Sequence, residues 1–131
     1  MKKTFKELLE INQIYAELLK EEDFKGTKLE YAFKRFNEKN LKNIFTDYND
    51  ALQDNRIENA LTDPTTGAIL YDKSGQNFQY SKEGLKNVLK KNKKTTEEWD
   101  NKEFEITPFI CKDNVIEFNE EETALLTGVI L

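Results

Sequence analysis

From Phe5 to Leu52, large apolar residues return mostly every three or four positions, and turn residues interrupt the pattern at Gly26-Thr27. That spacing is the period of an α-helix with one buried face. It restricts the first part of the chain to two amphipathic helices. Phe5, Leu8, Ile11, Tyr15 and Leu18 line the first, over residues 3–22, with Leu9, Ile14 and Leu19 widening the stripe. Thr4 can cap it, because a threonine hydroxyl accepts from the free N–H groups of a first turn. Leu29, Phe33, Phe36, Leu41, Ile44, Tyr48 and Leu52 line the second, which ends near residue 55. Gly26 suits the left-handed position after a helix, and Thr27-Lys28-Leu29-Glu30 has the form of a capping box. The connection is only about four residues long, which predicts an antiparallel helical hairpin.

The punctuation then changes. Asp63-Pro64-Thr65-Thr66-Gly67 and Asp72-Lys73-Ser74-Gly75 are two Asp-to-Gly turns, nine residues apart. Asp accepts from the backbone two residues on, and Gly takes the left-handed position. The second turn predicts a β-hairpin of residues 68–72 and 76–80 with a three-residue bulged loop. That register pairs Asp72 with Gln76, Leu70 with Phe78 and Ala68 with Tyr80. It puts Ala68, Leu70, Phe78 and Tyr80 on a buried face and Ile69 and Tyr71 on the other. No internal repeat and no low-complexity segment stands out.

Ser81 can cap a third helix over 82–100, with Leu85, Val88, Leu89, Thr96 and Trp99 on one side and lysines largely on the others. Residues 104–107 and 115–118 read as short strands. Asn119 with Glu122 marks the start of a last helix, near 120–127, that ends at Gly128. The expected fold is α+β and mainly helical. It has an N-terminal antiparallel helical hairpin, a central β-hairpin, a third helix, short strands and a C-terminal short helix. The length of 131 residues predicts one domain, with the helical hairpin in 1–56 and the remaining elements in 57–131.

Composition bounds function. The chain is 37% hydrophobic and 34% charged, so its core is modest; an aromatic content of 11% argues against disorder. A net charge of −5 does not suit a phosphate backbone, and nucleic acid is not expected as a partner. The charge is uneven. Residues 81–94 hold six Lys against one Glu, whereas 100–131 hold eight acids against two Lys. The plain reading is two solvated faces; the sharper one is a positive patch for an acidic partner. No apolar run approaches the roughly 18 residues of a membrane span, so no membrane is expected. Glu7 and Glu10 break the N-terminal apolar stretch, which is therefore no signal peptide.

Most site chemistry is absent. There is no His and one Cys, which removes the common zinc sites and Cys–His or Ser–His nucleophiles. Cys111 lies in an apolar setting and reads as a core residue. No glycine-rich phosphate cradle is present. A calcium loop starting at Asp72 would use Ser74, Gln76 and Glu83, but its sixth position is Asn77 where such loops need glycine. The carboxylate pairs Asp47 with Asp50 and Glu97 with Asp100 fall on charged helix faces. No catalytic activity, cofactor or metal is expected.

The order of elements carries a resemblance. A helical pair precedes Asp72, Gly75, Phe78 and Tyr80; then come Gly84 and Leu85, then Phe104, Ile106 and Pro108, then Leu125 and Leu126. Over residues 25–128 this resembles a family of small tailed-phage proteins encoded among virion and assembly genes. The resemblance implies a structural or assembly protein that acts through protein–protein contacts as a virion, connector or head/tail component. Its partners would be other phage proteins or copies of itself, and it would reside in the host cytoplasm or the virion. The alternative is a phage-encoded inhibitor or adaptor that binds a host defence protein. Candidate contact residues are Ile69 and Tyr71 on the outer hairpin face, Trp99, and the apolar C-terminus with Leu125, Leu126, Val129 and Ile130.

Overall fold

Thr4 starts the first helix through a reciprocal cap. Its hydroxyl accepts the Glu7 N–H at 3.2 Å, and the Glu7 carboxylate accepts the Thr4 N–H at 3.0 Å. In the computed structural model, which describes residues 1–131, the residues before that cap form a short strand, β1 (Lys2–Thr4). Helix α1 is therefore Phe5–Leu18, shorter at both ends than the expected span of 3–22. The later elements are α2 (Lys28–Phe36), α3 (Lys42–Asn59), α4 (Lys82–Asp100), β2 (Glu103–Glu105) and α5 (Glu120–Leu126). The fold is α+β and mainly helical. Two compact units divide the chain, one of residues 1–45 and 100–131 and one of residues 46–99. The expected division at 56/57 falls inside α3.

The first unit holds nearly all the hydrophobic core. Leu8 and Ile11 of α1, Leu29, Phe33 and Phe36 of α2, and Leu41 are buried together with Phe24, Ile106, Cys111, Leu126, Val129 and Ile130. Tyr15 stacks on Phe33 at 5.5 Å, and Phe24 meets both rings edge-on at 6.2 and 6.0 Å. Asn12 accepts a hydrogen bond from Asn37 at 3.3 Å. Tyr15 facing Phe33 and Asn12 facing Asn37 make α1 and α2 antiparallel, as their short connection predicts. The expected capping box of α2 is only half formed. Thr27 accepts the Glu30 N–H at 3.1 Å, but the Glu30 carboxylate turns to the Gly26 N–H at 3.2 Å.

Between α2 and α3 the helix widens into a π turn, Asn37–Leu41. Such a turn inserts one residue into the 3.6-residue period and re-aims the side chains that follow it. Here it turns Asn40 inward. Asn40 is the one buried polar side chain, and it clamps the backbone of Thr107. Its amide donates to the Thr107 carbonyl at 2.9 Å and its oxygen accepts the Thr107 N–H at 2.7 Å.

β2 pairs antiparallel with β1, with Lys3 opposite Phe104. The expected strand at 104–107 is thus the shorter Glu103–Glu105, and it is joined by a strand the apolar pattern did not show. The expected strand at 115–118 is absent: Asn114 instead closes a turn on Ile116, accepting its N–H and donating to its carbonyl, both at 2.9 Å. Asn119 and Glu122 form the expected capping box of α5. The chain then turns at Gly128, at φ +79°. Its end packs inward, with the Val129 and Ile130 carbonyls accepting from the N–H groups of Phe109 at 2.9 Å and Cys111 at 2.7 Å.

The second unit is built differently. Its α3 and α4 segments meet through polar side chains: Tyr48 with Thr96 at 3.1 Å, and Asn55 with Asn92 at 2.9 Å and Thr95 at 3.1 Å. Trp99 packs edge-on against Tyr48 at 5.4 Å. Gly84 is buried, and a Cβ there would lie 3.1 Å from the Asn59 carbonyl, tighter than most side chains tolerate.

Residues 61–79 are not the expected hairpin but a nine-residue pattern made twice. Thr62 bridges Ile69 as Tyr71 bridges Phe78. The Asp63 N–H bonds to the Ala68 carbonyl as the Asp72 N–H bonds to the Asn77 carbonyl, both at 2.8 Å. Leu70 donates to Leu61, Gln79 to Leu70, and Leu61 back to Gln79, each at 2.9 Å, which closes a ring of three backbone bonds. Leu61-Thr62-Asp63 and Leu70-Tyr71-Asp72 open the two copies, so the missed signal was in the sequence. The register is one residue from the expected one: Asp72 faces Asn77 rather than Gln76, and Tyr71 rather than Leu70 faces Phe78.

Candidate interaction surfaces

Grooves open on both units. In the second unit a groove of about 590 Å³ is lined by Arg56, Gln76, Phe78, Tyr80, Leu85 and Leu89, among others. In the first unit a groove of about 410 Å³ runs between α2 and residues 109–112, with Lys28, Tyr31, Arg35, Ile110 and Lys112 in its wall. Lys28 is already paired with Asp113 at 2.6 Å, and the Arg35 guanidinium lies 5.7 Å over the Phe109 ring. A third groove, about 350 Å³, lies between α1 and α5. Glu10, Gln13, Glu17, Glu121 and Glu122 line it with the half-buried Ile14 and Leu125; no cation is in the lining, and Lys20 pairs with Glu17 at 3.3 Å.

The candidate contact residues separate sharply. Leu126, Val129 and Ile130 are fully buried in the first unit and cannot meet a partner. An apolar C-terminus read as a contact surface is instead core, because the turn at Gly128 folds it back onto residues 109–111. Leu125 is half-buried in the α1/α5 groove. Tyr71 is half exposed, but its ring packs on Phe78 at 5.4 Å, so it shares a face with the residue it was expected to oppose. Ile69 and Trp99 are both half-buried.

The surface apolar residues that stand out are others. Leu85 and Leu89 on α4 are 46% and 64% exposed, and Val115 is 87% exposed. Sequence periodicity puts both leucines on one side of α4 with Val88; the structure buries only Val88 and Gly84 of that helix.

Titratable groups are held by local hydrogen bonds. The Thr65 and Thr66 N–H groups hold the Asp63 carboxyl below the usual carboxylate range, and the Ser74 hydroxyl does the same for Asp72. The Thr4 N–H lowers that of Glu7. Asp72 is thus engaged by its own turn. No group of three or more His, Cys, Asp or Glu side chains comes together to hold a metal ion. No helix is long and apolar enough to cross a membrane. Compared with protein-family models, with curated proteins and with solved structures, the chain gives no match.

Proposed function

We infer that this chain is a non-enzymatic structural or assembly protein of a tailed phage, working through protein–protein contacts as a virion, connector or head/tail component. The observation that supports contact-making is the exposure of Leu85 and Leu89 on a lysine-rich helix. A leucine 64% exposed on a regular helix gains nothing for a free monomer. Apolar side chains rimmed by charge are what an interface core and rim require. The phage assignment rests on the order of motifs from Asp72 to Leu126.

Mass spectrometry of purified particles tests this reading. The chain is expected in the particle, or bound to particle proteins in infected-cell lysate. A chain found only on a host protein would replace the assembly reading with that of an inhibitor.

A further inference from the structure

Helix α4 and the α1/α5 groove are complementary in charge and in spacing. On α4, Lys82, Leu85, Lys86, Leu89 and Lys93 are all exposed. They fall at steps of three and four residues, so they form one stripe along the helix. Lys91 pairs with Glu58 and Lys94 with Glu98, whereas Lys82, Lys86 and Lys93 have no ion-pair partner. The groove presents the opposite pattern, four carboxylates beside Ile14 and Leu125; of these, Glu17 pairs with Lys20 of its own chain at 3.3 Å, an exposed pair of the kind that adds little and that a docking lysine can replace.

The spacing gives a direction. Along α1, Glu10 to Ile14 is four residues and Ile14 to Glu17 is three. Along α4 read backwards, Lys93 to Leu89 is four and Leu89 to Lys86 is three. Two helices packed antiparallel therefore set Lys93 against Glu10, Leu89 against Ile14 and Lys86 against Glu17, over about 10 Å of each helix. Packed parallel, the leucine falls one residue, a turn of about 100°, out of step.

We propose that α4 of one copy docks antiparallel in the α1/α5 groove of a second copy. The inference rests on the reading that the chain acts through contacts, but not on its phage origin. The two surfaces differ, so the contact is heterologous. Such contacts close into rings or run on as filaments, unless two copies exchange α4 reciprocally as a dimer. The apolar pair Leu89–Ile14 supplies the buried centre, and the ion pairs set register and encounter rate.

Size-exclusion with light scattering on the full chain, at about 0.05 M and about 0.5 M salt, is the test, because charges at a rim are screened over that range. The wild type is expected to self-associate at low salt and to dissociate at high salt. K86E/K93E and E10K/E17K should each self-associate at least about tenfold more weakly, with unchanged circular dichroism. Mixing the two variants should restore assembly, because each then offers a surface of opposite charge to the other. A wild type that stays monomeric at low salt overturns the proposal, as do folded variants that assemble like the wild type or fail to reassemble when mixed. A monomer in solution that is still found in particles removes this contact and leaves the assembly reading standing. A self-associating chain absent from particles does the reverse.

Discussion

Asn40 shows how much one side chain does here. It is buried, and it satisfies both backbone groups of Thr107. Replacing it by Ala removes both hydrogen bonds to the Thr107 backbone. Asn40→Ala should lower stability by about 1–3 kcal/mol, measured by urea unfolding. Asp63 and Asp72 work at the same scale with a different signature. Their carboxyls are held low by turn hydrogen bonds, so the stabilisation is complete above the ordinary aspartate value, about 3.9. It is lost as pH falls through the lowered folded values. The amide signals of Thr65, Thr66 and Ser74 should hold steady down to about pH 4 and shift in more acid solution. Asp63→Asn and Asp72→Asn should keep the turns and flatten that response, since the amide oxygen still accepts. Amides that move in step with a group elsewhere in the chain would contradict this assignment.

At the scale of elements, the two nine-residue copies explain why a hairpin prediction fails by one residue. A three-residue loop around Asp72-Gly75 satisfies the local turn, and Gly75 is indeed left-handed at φ +73°. The register is set elsewhere, by the ring of bonds among Leu61, Leu70 and Gln79. With Tyr71 facing Phe78, Tyr71→Ala removes an edge-on ring pair and should cost about 0.5–1.5 kcal/mol beyond the lost apolar area, read by thermal unfolding. The expected hairpin register, with Tyr71 on an outer face, gives no such loss. Nuclear Overhauser contacts between the Tyr71 and Phe78 rings check the register directly. The π turn makes the same point within a helix. Apolar spacing runs through Phe36 and Leu41 at five residues, a step that fits a widened turn and breaks a plain 3.6-residue stripe.

For the whole molecule, the division of the apolar core decides stability. Buried apolar side chains of residues 46–99 reduce to Val88, while those of the other unit, Phe5 apart, form one contiguous cluster. Local opening follows buried apolar contact, so the second unit should open at lower free energy. Hydrogen exchange by mass spectrometry should show amides of residues 46–99 exchanging before those of α1 and α2. Equal protection across both units would mean that polar pairs such as Asn55 with Asn92 hold as well as packed aromatics. Self-association through α4 should slow exchange at residues 82–93 and 10–17 together.

Local physics was legible in the sequence. The antiparallel α1 and α2, the caps at Thr4 and Asn119, the positive-φ turns at Gly67, Gly75 and Gly128, and the burial of Cys111 all follow from residues within a few positions of each other. Hydrogen bonds and periodicity act over that range, so the order of residues alone determines them. What the tertiary structure decided involves partners far apart in the chain. It placed Lys2–Thr4 against residues 103–105 as a strand, Asn40 against Thr107, and Val129 and Ile130 in the core against Phe109 and Cys111. It also moved Leu85 and Leu89 to the surface, where a period of three and four cannot tell a buried stripe from an exposed one. An apolar residue is buried only if another surface arrives to cover it, and which surface arrives is a property of the folded chain.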